Sequence, residues 1–169
     1  MAKLVKILCK GGNNLYVSIR GDEFVLAHDD PKDKTQQWFM DYSRASNVTD
    51  DNGQTVFALV NKVTRQAMVN KEKQRDDVFL FDMDLIIKPY IFREQVQLAS
   101  YVDDERVPIS VLWTVLEEEH GDGFHPIATL RDSSEVLGWL KGNVKEGPIL
   151  GVQPFELGSD NQLWKFLPV

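Results

Sequence analysis

Three tryptophans sit at roughly even thirds of this chain, each closing a short segment: Gln36-Gln37-Trp38, Val111-Leu112-Trp113 and Asn161-Gln162-Leu163-Trp164. A pattern that recurs at such spacing marks an internal threefold repeat. A buried indole needs an acceptor for its ring N–H, and a buried glutamine must satisfy both a donor and an acceptor. Gln36, Trp38, Trp113 and Trp164 are therefore read as residues that make the fold. Units of this kind each supply part of one shared core and cannot be cut apart at their borders. With 169 residues the chain is large enough for one sizeable core. The expectation is a single domain over 1–169, with repeats near 1–53, 54–120 and 121–169.

Alternating apolar residues mark strands at Leu4 to Leu8, Tyr16 to Ile19, Phe24 to Leu26 and Phe57 to Val60. Turn residues separate them at Gly11-Gly12-Asn13-Asn14, Arg20-Gly21-Asp22, Asp51-Asn52-Gly53 and Gly121-Asp122-Gly123. No long amphipathic helix is evident, so the fold class is all-β.

The Gln-X-Trp pattern, most complete in the closing Gly158-Ser159-Asp160-Asn161-Gln162-Leu163-Trp164 segment, resembles the signature of ricin B-like β-trefoils. A second stretch, Val56 to Met68 with its Asn61-Lys62-Val63-Thr64 turn, is similar to the Euonymus lectin domain of plants. Ser110-Val111-Leu112-Trp113-Thr114, Gly121-Asp122-Gly123-Phe124 and the opening run from Val5 to Trp38 match it as well. The resemblance implies a β-trefoil and a non-catalytic carbohydrate-binding module that takes a glycan or glycoprotein. It also implies a plant protein of cytoplasm and nucleus, with a stress-associated role by analogy. It is weakest from Lys71 to Glu94, an insertion in the second repeat, and from Asp132 to Leu157.

Sugar sites of this type set a carboxylate and an amide against vicinal hydroxyls and an aromatic face against the apolar side of the ring. In the third repeat the resemblance places Asp160, Asn161 and Gln162 at the polar positions, with Phe155 or Trp139 as the stacking platform. The acidic strand position falls near Leu137-Gly138-Trp139-Leu140, which carries no carboxylate, although Asp132 and Glu135 are close in sequence. In the second repeat the candidates are Asn70 and Tyr101. In the first, Ser18, His28 and Thr35 offer no aromatic ring and no site is expected. No repeat keeps the whole set, and the third keeps most of it.

The most apolar run, Val78 to Phe92, follows the charged Lys71-Glu72-Lys73-Gln74-Arg75-Asp76-Asp77 loop. It is read either as a strand pair on the trefoil flank or as an exposed surface for a protein partner or a second copy. The latter defines the alternative function, an interaction or self-association module on a trefoil scaffold.

Against 19 basic residues stand 26 acidic ones, a net charge of −7, which disfavours nucleic acid and anionic membranes as partners. The single cysteine, Cys9, lies in a strand pattern and is read as a buried thiol in a reducing compartment. The first ten residues carry too short an apolar run for a signal peptide, and none later suits a membrane span. His28, His120 and His125 are scattered, and the His120-Gly121-Asp122-Gly123-Phe124-His125 segment reads as a turn rather than a metal site. Neither catalysis, a metal nor a cofactor is expected.

Overall fold

The computed structural model describes residues 2–45, 47–70, 94–101, 107–140 and 149–169. Thirteen strands lie among them: β1 (Lys3–Cys9), β2 (Leu15–Arg20), β3 (Glu23–His28), β4 (Trp38–Asp41), β5 (Phe57–Asn61), β6 (Gln66–Val69), β7 (Glu94–Gln95), β8 (Gln97–Ser100), β9 (Leu112–Val115), β10 (Ile127–Thr129), β11 (Glu135–Leu140), β12 (Ile149–Pro154) and β13 (Trp164–Pro168). No α-helix occurs among the described residues; the helical pieces are single 3₁₀ turns, including Lys34–Gln36, Ile109–Val111 and Asp160–Gln162. The apolar insertion Val78 to Phe92 lies outside the described residues.

The strands group as β1–β4, then β5, β6, β8 and β9, then β10–β13. In each group the middle two form a hairpin: Leu15↔His28 to Arg20↔Glu23, Gln66↔Ser100 to Val69↔Gln97, and Glu135↔Pro154 to Leu140↔Ile149. The outer strands run as β13–β1–β4–β5–β9–β10. Between the residues just before β10 and β13 a single isolated bridge forms, His125 and Trp164 exchanging N–H to O bonds of 2.9 Å. The ring is therefore not a continuously closed sheet. Strand β7 adds to the edge of β12 through Gly151↔Gln95 and Val152↔Glu94. This all-β, three-unit arrangement is a β-trefoil.

Alternation along the outer strands sends one face inward. In β1 it buries Val5, Ile7 and Cys9 while the intervening residues stay partly open. At the centre the indoles of Trp38, Trp113 and Trp164 are fully buried. Each ring N–H reaches a carbonyl in the second strand of its own unit: Val17 O at 3.1 Å, Met68 O at 3.0 Å and Leu137 O at 2.8 Å. Phe24 stacks on Trp38 at 5.8 Å between centroids, and Phe57 meets Phe166 edge-on at 5.9 Å. Burial in β1 pushes the Cys9 thiol up to about 11, so it stays protonated.

Before two of the tryptophan strands a glutamine locks the 3₁₀ turn. Gln36 donates to His28 O at 2.8 Å and accepts from Asp30 N at 3.2 Å. Gln162 repeats this with Pro154 O at 2.8 Å and Glu156 N at 2.7 Å. In the middle unit Val111 takes the place and packs with Ala45, Val56 and Leu112. Asn61, fully buried, explains the Asn61-Lys62-Val63-Thr64 turn. Its Oδ1 accepts from Val63 N and Thr64 N, while its Nδ2 donates to Thr35 O at 2.8 Å and ties the turn to the first unit.

Replacing Trp164 by Phe keeps an aromatic ring but leaves Leu137 O buried without its donor. We expect Trp164→Phe to lose about 1–3 kcal/mol of stability in urea unfolding while its far-ultraviolet circular dichroism stays native.

Candidate functional site

In the third unit the 3₁₀ turn Asp160–Gln162 lies against the start of the chain. Gly11 N–H donates to Asp160 O at 2.9 Å, and Lys10 N–H donates to Leu163 O at 2.9 Å. A side chain at Gly11 would collide with Asn161 Oδ1, so the glycine permits this close approach. Asn161 is half-buried beside it, and Asp160 is exposed with Oδ1 3.5 Å from Lys10 Nζ. Lys10 Nζ also donates to His120 O at 2.6 Å.

Phe155 is half-buried, and its ring meets the His120 imidazole at 5.5 Å. It lies in sequence between Pro154 and Glu156, whose O and N are the two atoms held by Gln162. Gln162 thus ties the backbone on either side of Phe155 to the Asp160–Gln162 turn, and its buried amide bonds backbone through both its nitrogen and its oxygen. That engagement separates Gln162 from the hydroxyl-bonding role assigned to it on sequence. Trp139 likewise stands apart. It pairs with Leu150 across the hairpin, shares the face of Leu137, packs against the main core, and has its indole nitrogen buried without a partner.

Gly138 lies in the strand stretch, Leu137 to Leu140, near which the resemblance implies a carboxylate, and it faces the opposite side from Trp139. A Cβ there would collide with Gln153 Nε2, so the Gln153 amide covers the place. Gln153 and His120 are the neighbours of this site that the motif did not disclose; His120 Nε2 is buried without a hydrogen-bond partner. The two histidines of the glycine turn diverge, since His125 Nδ1 lies 3.0 Å from Leu116 O. Of the nearby acids, Asp132 accepts from Ser134 N and Oγ, and Glu135 opens β11.

In the first unit the corresponding surface is filled by the protein itself. Arg20 Nη1 bonds Ser18 Oγ at 2.9 Å and Thr35 Oγ1 at 3.1 Å, and it pairs with Asp33 Oδ2 at 2.8 Å. Asp33 also accepts from Thr35 N at 3.0 Å and from the Thr35 hydroxyl. Burial pushes the Asp33 carboxyl up, but the Thr35 and Arg20 hydrogen bonds outweigh it and hold the group below the usual carboxylate range. In the second unit Tyr101 donates to Asp41 Oδ2 at 3.0 Å, across to the first unit. Asn70 gives its N–H to Ser110 O at 3.0 Å and does not join it.

No family model matches the chain. It is 30% identical over 168 residues to the ricin B-like lectin EULS3 of Arabidopsis thaliana, covering 97% of this chain and 47% of the relative. It is also 30% identical over 169 residues to the ricin B-like lectin R40C1 of Oryza sativa subsp. japonica, covering 97% and 42%. The chain thus spans less than half the length of these relatives. Its fold matches that of the BEL β-trefoil in an apo crystal form, with a TM-score of 0.62 and 11% identity over 99% of this chain and 93% of the other. It also matches the Macrolepiota procera ricin B-like lectin in complex with lactose, with a TM-score of 0.64 and 11% identity over 99% and 96%. These two likenesses concern the fold alone. The chain is a β-trefoil homologous to plant proteins named ricin B-like lectins, consistent with the Euonymus lectin resemblance of its motifs.

Because the Asp33 carboxyl is held low in the folded state, its contribution is present above the unfolded value and disappears as pH falls through the folded one. Asp33→Ala should cost about 1–2 kcal/mol at pH 7 through loss of the turn cap and the Arg20 pair. Urea unfolding repeated below the usual carboxylate range should show wild type and variant converging.

Proposed function

We propose that the chain is a non-catalytic carbohydrate-binding module whose three units act as one domain, with its sugar site on the third unit. Asn161 and Asp160 bond ring hydroxyls there, and Phe155 lies against the apolar side of the sugar. The observation that carries this reading is the pair of Gln162 hydrogen bonds to Pro154 and Glu156. They tie the backbone on either side of Phe155 to the Asp160–Gln162 turn, which supports reading an aromatic ring, a carboxylate and an amide as one surface. Gln162 supports that surface from beneath, and the Gln153 amide over Gly138 is a polar neighbour where the carboxylate is missing. Homology to proteins named lectins supports binding in place of catalysis.

A shallow site with few polar contacts binds weakly, on the order of 10⁻⁴ to 10⁻³ M. A glycan array of the purified chain should therefore show multivalent retention that Asn161→Ala and Phe155→Ala each abolish, with circular dichroism unchanged. Equal retention by wild type and both variants would remove the third unit as the site.

A further inference from the structure

A cleft of about 480 Å³ opens at one end of the strand ring, within the size range of small-molecule sites and at a place, the mouth of a barrel, where such sites recur. Lys3 begins β1, Tyr42 follows β4, Gln54 and Thr55 precede β5, Phe57 lies in β5 and Val115 ends β9. Antiparallel pairing of these strands brings all six to one rim. Phe57 is buried, and its ring meets that of Tyr42 at 5.6 Å with a tilt of 58°. Tyr42 is half-buried, and Lys3 Nζ lies 5.7 Å from its ring centre. Lys3 is exposed, which marks that face of the Tyr42 ring as the one turned to solvent.

The loop that carries Gln54 and Thr55 is set by one carboxylate. Asp50 Oδ1 accepts from Asn52 N at 2.9 Å and Gln54 N at 2.8 Å, and its Oδ2 accepts from Thr114 Oγ1 of β9 at 2.7 Å. Gly53, at a φ of 79°, closes the turn by donating to Asp50 O at 3.0 Å, and Thr49 bridges to Thr55. The Gln54 side chain then reaches out of the second unit, its Nε2 donating to Glu117 Oε1 beyond the end of β9. That bond uses one amide N–H and one carboxylate oxygen, so both groups keep bonding positions for a ligand. An amide, a carboxylate and an aromatic face thus meet at the mouth, the three parts that a sugar site needs.

We propose that this cleft binds a neutral hexopyranose. The apolar face of the sugar lies on Tyr42, its hydroxyls donate to Glu117 and Gln54 Oε1, and they accept from Lys3 and the Gln54 amide nitrogen. A polyol uses such donors and acceptors together. An aromatic acid would use the rings and Lys3 but set its carboxylate near Glu117, and an apolar molecule would leave the amide unused. The cleft shares no residue with Asp160, Asn161 and Phe155, and its occupancy does not depend on the third-unit reading. A chain with two weak sites is held on a dense glycan surface through both at once, whereas titration with a free monosaccharide reads each site singly.

Amide chemical shifts of the full chain, followed during titration with D-galactose, D-glucose, D-mannose and sodium benzoate at matched ionic strength, test this directly. At least one hexose should give saturable shifts at Gln54, Thr55 and Val115, with a dissociation constant on the order of 10⁻³ M. Gln54→Ala should weaken that binding roughly tenfold, through loss of the amide and of its hold on Glu117. Tyr42→Leu, which keeps bulk without a flat face, should weaken it by a similar factor. Native indole N–H resonances of Trp38, Trp113 and Trp164 certify the fold of each variant, and Gln54→Ala, on a surface loop, serves where Tyr42→Leu does not fold. Shifts at Asn161 report the third-unit site and should be the same in Gln54→Ala as in wild type, so either site can fail alone. The proposal is overturned if no hexose gives saturable shifts at the mouth, if benzoate binds there as tightly as the hexose, or if Gln54→Ala with native indole resonances binds like wild type.

Discussion

Every other feature of this trefoil depends on three indole N–H groups finding acceptors in a dry core. An indole nitrogen left without a partner there would cost about 1–3 kcal/mol, a large share of the stability of a domain this size. Trp38, Trp113 and Trp164 all solve the problem in the same way, by reaching a carbonyl in the second strand of their own unit. That bond obliges each hairpin to fold back over the ring. It also fixes the 3₁₀ turn just before each tryptophan, because the turn must deliver the indole at the right depth.

Once the turn is fixed, the residue three places before each tryptophan is half-buried at the surface, and its surroundings differ between the units. In the first unit it is Thr35, drawn into the Ser18–Arg20–Asp33 network, which occupies the surface with internal hydrogen bonds. In the third it is Asn161, lying against Gly11, with Asp160 and Phe155 beside it. In the second it is Ser110, whose carbonyl accepts from Asn70, while Tyr101 turns toward the first unit. The units share a frame set by the core and differ by what a few side chains lay over it.

The frame was legible in the sequence because its demands are local and repeated. The tryptophans, Gln36 and the Asn61-Lys62-Val63-Thr64 turn carry their roles in residue type and spacing. The candidate site was legible only where it coincides with the motif. Asn161 and Asp160 follow from it, but the motif also enlisted Gln162, whose amide the backbone on either side of Phe155 occupies. Trp139 was misplaced for a simple geometric reason: the side-chain period in a strand is two, and Leu137 sets Trp139 facing the core. Gln153 over Gly138, His120 against Phe155 and Tyr101 on Asp41 could not be read at all. Each is a contact between residues far apart in sequence, and topology alone brings them together.

The third-unit surface belongs to the seam of the ring as much as to its own unit. His125, just before β10, shares one bridge with β13, whereas β13 pairs with β1 over five positions from Val5↔Pro168 to Cys9↔Trp164. The first strand therefore anchors the last, and the turn that follows it reaches the site through Gly11, Lys10 and their bonds to Asp160, Leu163 and His120. The Lys10–Asp160 ion pair is partly exposed and contributes little by itself. The backbone bonds matter more, because they hold Asn161 so close to Gly11 that a side chain there would meet its Oδ1. The candidate surface made in this way joins the first and last strands, which couples its formation to completion of the whole domain.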